Sequence, residues 1–217
     1  MKQPYLPASQ TNTYVADAKS TLITILHWQT LARLIMKPVL AKFARNITCD
    51  FDENDLLPEK TYLAVSNHQS HFDAFVLIAG ISPQVFQRLQ PFRAMTSNHF
   101  LRRGPIKYAA LRMGCFPAKP HASLPNGINY ASLLIEQGQS VYICPEGKID
   151  INKETSARPG VGILAKVPNV EIIPVHIKWS RTGRWHRSFQ LAYGKPYDGS
   201  NMTAQEILDY CYALPLR

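Results

Sequence analysis

Cysteine, long apolar runs and, over one stretch, acidic residues are in short supply. The four cysteines, Cys49, Cys115, Cys144 and Cys211, lie far apart and form no Cys-x-x-Cys pair. Such spacing argues against a disulfide framework or a thiolate zinc site and fits a reducing compartment. No internal repeat suggests a solenoid. Ser is never set in a Gly-x-Ser-x-Gly elbow, and no cysteine stands beside a histidine in sequence, so no covalent nucleophile is expected. Between Asp73 and Glu136 acids are absent altogether. The same stretch carries Arg88, Arg93, Arg102, Arg103, Lys107, Arg112 and Lys119, a block expected to face something negative.

The 217 residues are 46% hydrophobic, which fits one ordinary domain with a full core. A formal charge of +9 points to nucleic acid, an acidic membrane surface or a phosphorylated substrate. Asp50, Asp52, Glu53, Asp55 and Glu59 gather just before residue 60 and are expected to form an exposed, acidic connection.

Residues 1–14 read as a polar, proline-containing arm. Apolar residues from Leu22 to Ile35 then fall at mostly helical intervals and resume after Pro38, making 15–48 an amphipathic helical segment. Its longest stretch free of Lys, Arg, Asp and Glu is residues 20–32, about 20 Å as a helix against a hydrocarbon core of roughly 30 Å. A helix lying in the membrane interface, or one packed on the domain, fits better than a spanning one. No small-residue cleavage site follows, so a secretory signal is not expected. In 49–217, short apolar runs at 61–66, 93–97, 140–144, 171–179 and 188–194 alternate with helical patterns at 72–79, 105–113, 126–138, 160–166 and 204–212. The expected class is α/β, a mostly parallel central sheet flanked by helices, with sites at the carboxyl ends of strands.

SNHQSHFD follows the first of these runs. On one regular helix His68 and Asp73 would stand about 140° apart. If the chain turns between strand and helix, Asp73 in the first helical turn reaches back to His68. A carboxylate on one imidazole nitrogen fixes the tautomer and raises the basicity of the other, making His68 a general base for a hydroxyl. Two alternatives stay open. His68 could satisfy a local polar group, or His68, His71 and Asp73 could hold the metal of a hydrolase, although helical zinc motifs place His at i and i+4. A basic nucleic-acid-binding domain is the other rival, but it lacks a recognition signature and leaves the dyad unexplained.

NHQSHFD, then CPEG at 144–147, RPGVGILA at 158–165 and IIPV at 172–175 together resemble the glycerolipid acyltransferase superfamily, 1-acylglycerol-3-phosphate acyltransferase-like, over roughly residues 60–195. The resemblance makes 49–217 an acyltransferase domain. It implies that His68 is the base and Asp73 its orienting partner, and that Glu146 and Gly147 help bind the acceptor. Lys119 stands where the family has a phosphate-gripping Arg, and Pro174 falls in a block that shapes the donor site. Lys148, Ile149 and Asp150 replace the family's Thr-Arg-Ser, so Lys119, Lys148 or Arg158 is left to hold a phosphate. Lys keeps the charge but loses the bidentate fork. The implied reaction moves a fatty acyl group from acyl-CoA or acyl carrier protein, a co-substrate, to a lysophospholipid hydroxyl. No metal, other cofactor or nucleic acid is expected. The implied location is the anionic cytoplasmic face of a membrane, peripheral or monotopic.

Overall fold

The computed structural model describes residues 8–97, 101, 104–118, 127–181 and 187–216, without the side chains of 8–21, 181 and 187. Lys119, Arg102 and Arg103 lie outside the described residues.

Seven strands form one sheet in the order β1-β7-β6-β2-β5-β3-β4. They are β1 (Ala44–Cys49), β2 (Thr61–Ser66), β3 (Phe92–Thr96), β4 (Phe116–Pro117), β5 (Ser140–Ile143), β6 (Val170–Arg181) and β7 (Arg187–Tyr193). Every neighbouring pair is parallel except β6 with β7. At the centre, β2 lies between β5 and β6, with Val65 opposite Ile143 on one side and Pro174 on the other. Both faces are covered, as a parallel sheet requires. Tyr62 and Ala64 join a core with α2 (Asp73–Gly80) and α3 (Pro83–Leu89), while Leu63 and Val65 join one with α5 (Gly127–Glu136), α6 (Gly160–Leu164) and α7 (Ala204–Ala213). The alternation of side chains along one strand thus feeds two layers of helices.

Several short elements carry signals too brief to be read as periodicity. β1 and β4 are examples, and α3 has only Ser82 as N-cap, accepting from Val85 N–H, with Pro83 behind it. Asp52 and Asp55 form a reciprocal cap on a short 3₁₀ turn within the expected acidic connection.

The N-terminal segment has other bounds than its apolar spacing suggests. Helix α1 runs from Ala8 to Ala41 with Pro38 inside, so it takes in part of the expected arm, and the end of the expected helical segment is strand β1. Both of its sides mix apolar and polar residues. Ile25, Gln29, Arg33 and Leu40 are buried against the domain, whereas Ile23, Leu31, Leu34, Ile35 and Val39 point outward and are exposed. Arg33 donates to the carbonyls of Ile78 (3.1 Å) and Ile81 (2.6 Å) at the end of α2, and lies over the Phe86 ring. Gln29 donates to the carbonyls of Met113 (2.9 Å) and Phe92. These contacts satisfy carbonyls left over where helix and strand end.

The acid-free block is not uniformly outward. Arg93 is buried and donates to the Gly114 carbonyl (2.9 Å) and to Gln139 Oε1 (3.0 Å). Arg88 and Arg112 are exposed, Arg112 above the Trp28 ring of α1, next to α4 (Pro105–Arg112).

Candidate active site

Two loops meet where β2 and β5 end side by side. After Ser66 the chain leaves the sheet, and Asn67 holds the departure point. Its amide donates to the Ile177 carbonyl and its oxygen accepts the Ile177 N–H, both at 2.8 Å, which continues the β2–β6 ladder by one side chain. The loop then turns into α2, whose first residue is Asp73.

The expected meeting of His68 and Asp73 occurs. Nδ1 of His68 lies 2.9 Å from Oδ2 of Asp73. That oxygen also accepts the N–H groups of Gln69 (2.7 Å) and Ser70 (2.9 Å), and Oδ1 accepts the Ser70 hydroxyl (2.7 Å) and the Trp179 indole N–H (3.0 Å). The carboxylate is buried, and with its oxygens so occupied its orientation is fixed. Such a surround competes with metal ligation. Among the described residues no group of three or more His, Cys, Asp or Glu is placed to hold a metal ion, and His71 is exposed.

His68 keeps 23% of its side chain accessible. Burial, the largest influence on it, disfavours the charged form. The Asp73 hydrogen bond, a hydrogen bond and charge from Cys144, and the Asp73 charge outweigh burial and raise the imidazole pKa to about 10. No cysteine neighbours a histidine in sequence, yet β5 delivers Cys144 to this one. Cys144 also lies 3.1 Å from the Tyr142 hydroxyl and 3.7 Å from Ser66 Oγ.

The second loop, Cys144–Asp150, supports the first. Glu146 is fully buried and accepts the His68 backbone N–H at 2.8 Å. Burial pushes its pKa up, and its hydrogen bonds oppose that. Asp150 N–H donates to the His68 carbonyl (2.7 Å), and the Gln69 amide donates to the Asp150 carbonyl (2.9 Å). Gly147 has φ +67°, and a Cβ there would come within 2.6 Å of Arg158 Nε. A side chain there would be strained by that φ and would push the Arg158 guanidinium aside.

Of the remaining expected residues, Lys148 and Arg158 are exposed at the turn. Pro174 is buried in β6, where its carbonyl accepts the Gly194 N–H at 3.0 Å. Glu146 turns its oxygens to protein donors.

A family model described as Acyltransferase matches residues 47–178. The chain belongs to the acyltransferase family. This acyltransferase also shares its fold with the crystal structure of the 1-acyl-sn-glycerophosphate (LPA) acyltransferase PlsC from Thermotoga maritima. The two superpose with a TM-score of 0.60 at 14% identity, over 90% of this chain and 78% of that one. No curated protein matches the sequence. Membership in an acyltransferase family, implied by the motifs, is thereby established.

Reading by motif missed Trp179 and Tyr212. An indole near the end of a strand and a phenol on the last helix carry no pattern that ties them to a site a hundred residues away or nearer. Asn67 and Ser70 lay inside the quoted motif, but their tasks are visible only from the bonds they make.

Proposed function

We propose that this acyltransferase moves a fatty acyl group from an acyl thioester, of coenzyme A or acyl carrier protein, to a lysophospholipid hydroxyl at the anionic cytoplasmic face of a membrane. The observation that carries the reading is the imidazole–carboxylate pair at the mouth of two strand-end loops. Asp73 holds the proton on Nδ1, which leaves Nε2 as the basic atom. The neutral imidazole accepts the proton of the acceptor hydroxyl as its oxygen bonds to the thioester carbonyl carbon. The resulting intermediate collapses, the carbon–sulfur bond breaks, and the departing sulfur takes the proton from His68. A thioester is already activated, so the protein's main tasks are placing the hydroxyl and removing its proton.

1-Acylglycerol-3-phosphate is the acceptor favoured by the cations at the Gly147 turn, Lys148 and Arg158, together with Lys119. The Thermotoga protein acts on 1-acyl-sn-glycerophosphate. Attachment to a membrane is supported by the outward side of helix α1. Its exposed Ile23, Leu31, Leu34, Ile35 and Val39, with Ile106, Tyr108 and Leu111 of α4, are apolar side chains that no layer of the described residues covers. Lys107 and Arg112 of α4 add about 1 kcal/mol each against an anionic leaflet. No described helix is long and apolar enough to cross a membrane, which suits attachment along the surface.

Purified protein given radiolabelled acyl-CoA or acyl carrier protein and a panel of lysolipids in mixed micelles is expected to form phosphatidic acid from 1-acylglycerol-3-phosphate. Release of free fatty acid alone, or no transfer to any lysolipid, would refute the reading.

A further inference from the structure

Tyr212 lies beyond both the motif resemblance and the family match, on helix α7. That helix is firmly seated. Thr203 and Glu206 cap its start reciprocally, and Ile207, Leu208 and Cys211 are buried. Cys211 Sγ donates to the Val65 carbonyl at 3.3 Å, next to the carboxyl end of β2. The following residue is thus delivered to the underside of the loop that carries His68. The Tyr212 ring meets His176 edge-on, with centroids 5.6 Å apart, and Lys153 Nζ lies 4.3 Å from its centroid. Its hydroxyl donates to Glu146 Oε1 at 2.7 Å, while Oε2 of the same carboxylate accepts the His68 backbone N–H.

We propose that Tyr212 is a positioning residue of the active site, which through Glu146 fixes the main chain of His68 and hence the place of its imidazole. The inference rests on His68 being the base. Glu146 is fully buried, and a buried carboxylate with one oxygen unpaired is costly. Without the phenol it keeps its proton to higher pH, which weakens the oxygen that accepts the His68 amide, or swings away, which removes it. The C-terminal helix is then part of the catalytic apparatus, although it touches neither the proton in flight nor the carbonyl.

Tyr212→Phe tests this, because it keeps the ring and its contacts with His176 and Lys153 and removes only the hydroxyl. With oleoyl-CoA and 1-acylglycerol-3-phosphate, kcat should fall about tenfold with acceptor KM changed less than twofold. The loss should be greatest at low pH, where Glu146 is protonated in the variant, and smaller as pH rises. In the full-length protein in detergent, hydrogen exchange at the His68 amide should accelerate. Introduced into a Glu146→Gln background, Tyr212→Phe should cost nothing further. Wild-type kcat and wild-type amide exchange in Tyr212→Phe would overturn the inference, as would losses that simply multiply in the double variant. His68→Ala separates the two levels. If it is inactive while Tyr212→Phe behaves as wild type, only the positioning role falls. If it retains full activity, the base assignment falls and the positioning role with it.

Discussion

Replacing Asp73 by Asn removes one charge and little volume, and its effect can be worked out atom by atom. With the His68 pKa raised to about 10, the neutral fraction of the free enzyme at pH 7 is about one in a thousand. The rate should therefore climb about tenfold per pH unit from 7 until it levels near 10. A hydrogen bond to a charged group contributes about 1.5–3 kcal/mol, and about 1.4 kcal/mol corresponds to one pKa unit. Asp73→Asn should then move the rising limb about one to two units toward lower pH. Its plateau should nevertheless fall by about a hundredfold or more, because the imidazole loses its orientation. The amide also cannot satisfy the loop. Oδ2 faces His68, Gln69 N–H and Ser70 N–H, and Oδ1 faces the Ser70 hydroxyl and the Trp179 N–H, so the new NH₂ must confront donors on one side. The assay is kcat/KM from pH 6 to 10 for both proteins. A limb that stays in place in the variant, or a flat wild-type profile, refutes the reasoning. Stability follows the same linkage. A folded-state value above the unfolded one of about 6.5 means that the ion pair stabilises the fold fully below that value, and that this contribution fades as pH rises through about 10.

Cys144→Ala should move the same limb to lower pH, because a hydrogen-bond partner of the imidazole is lost while Asp73 remains; an upward or absent shift in kcat/KM would contradict this. Leu34→Ser with Ile35→Ser should weaken co-sedimentation with phosphatidylglycerol vesicles about tenfold or more, at about 1 kcal/mol for each half-buried side chain; unchanged binding would remove α1 as the attachment face. Gly147→Ala should lower stability by about 1–2 kcal/mol in thermal unfolding, since the turn has positive φ and the added methyl meets Arg158. A variant as stable as wild type would mean that the turn and Arg158 relax without cost.

The long alternating pattern from residue 61 onward was legible because each run is buried on both faces and separated by helical spacing. Each of those strands and helices stands within a few residues of its expected place. β1 was hidden because only half of it is covered, giving ARNITC no apolar run to notice. The apolar spacing of α1 was visible, but which side it turns inward was not. Hydropathy assigns Arg33 and Gln29 to water, whereas leftover carbonyls of α2, β3 and α4 draw them inside. At the site, NHQSHFD and CPEG announce themselves by type and spacing. The thiol beside the imidazole and the phenol beneath Glu146 are brought there by strand order and by a terminal helix, which local sequence does not record.

The seating of α1 separates two jobs that one helix usually mixes. Its inner side is tied to main-chain oxygens, which are present whatever side chains the enzyme carries, as well as to packed side chains, and the apolar residues of its outer side are exposed. The outer positions can then be rewritten as a set, toward a fully water-soluble catalyst or a tighter lipid grip, with no repacking inside. Conversely, a change at Gln29 or Arg33 would loosen the helix from the body while leaving its outward side as greasy as before.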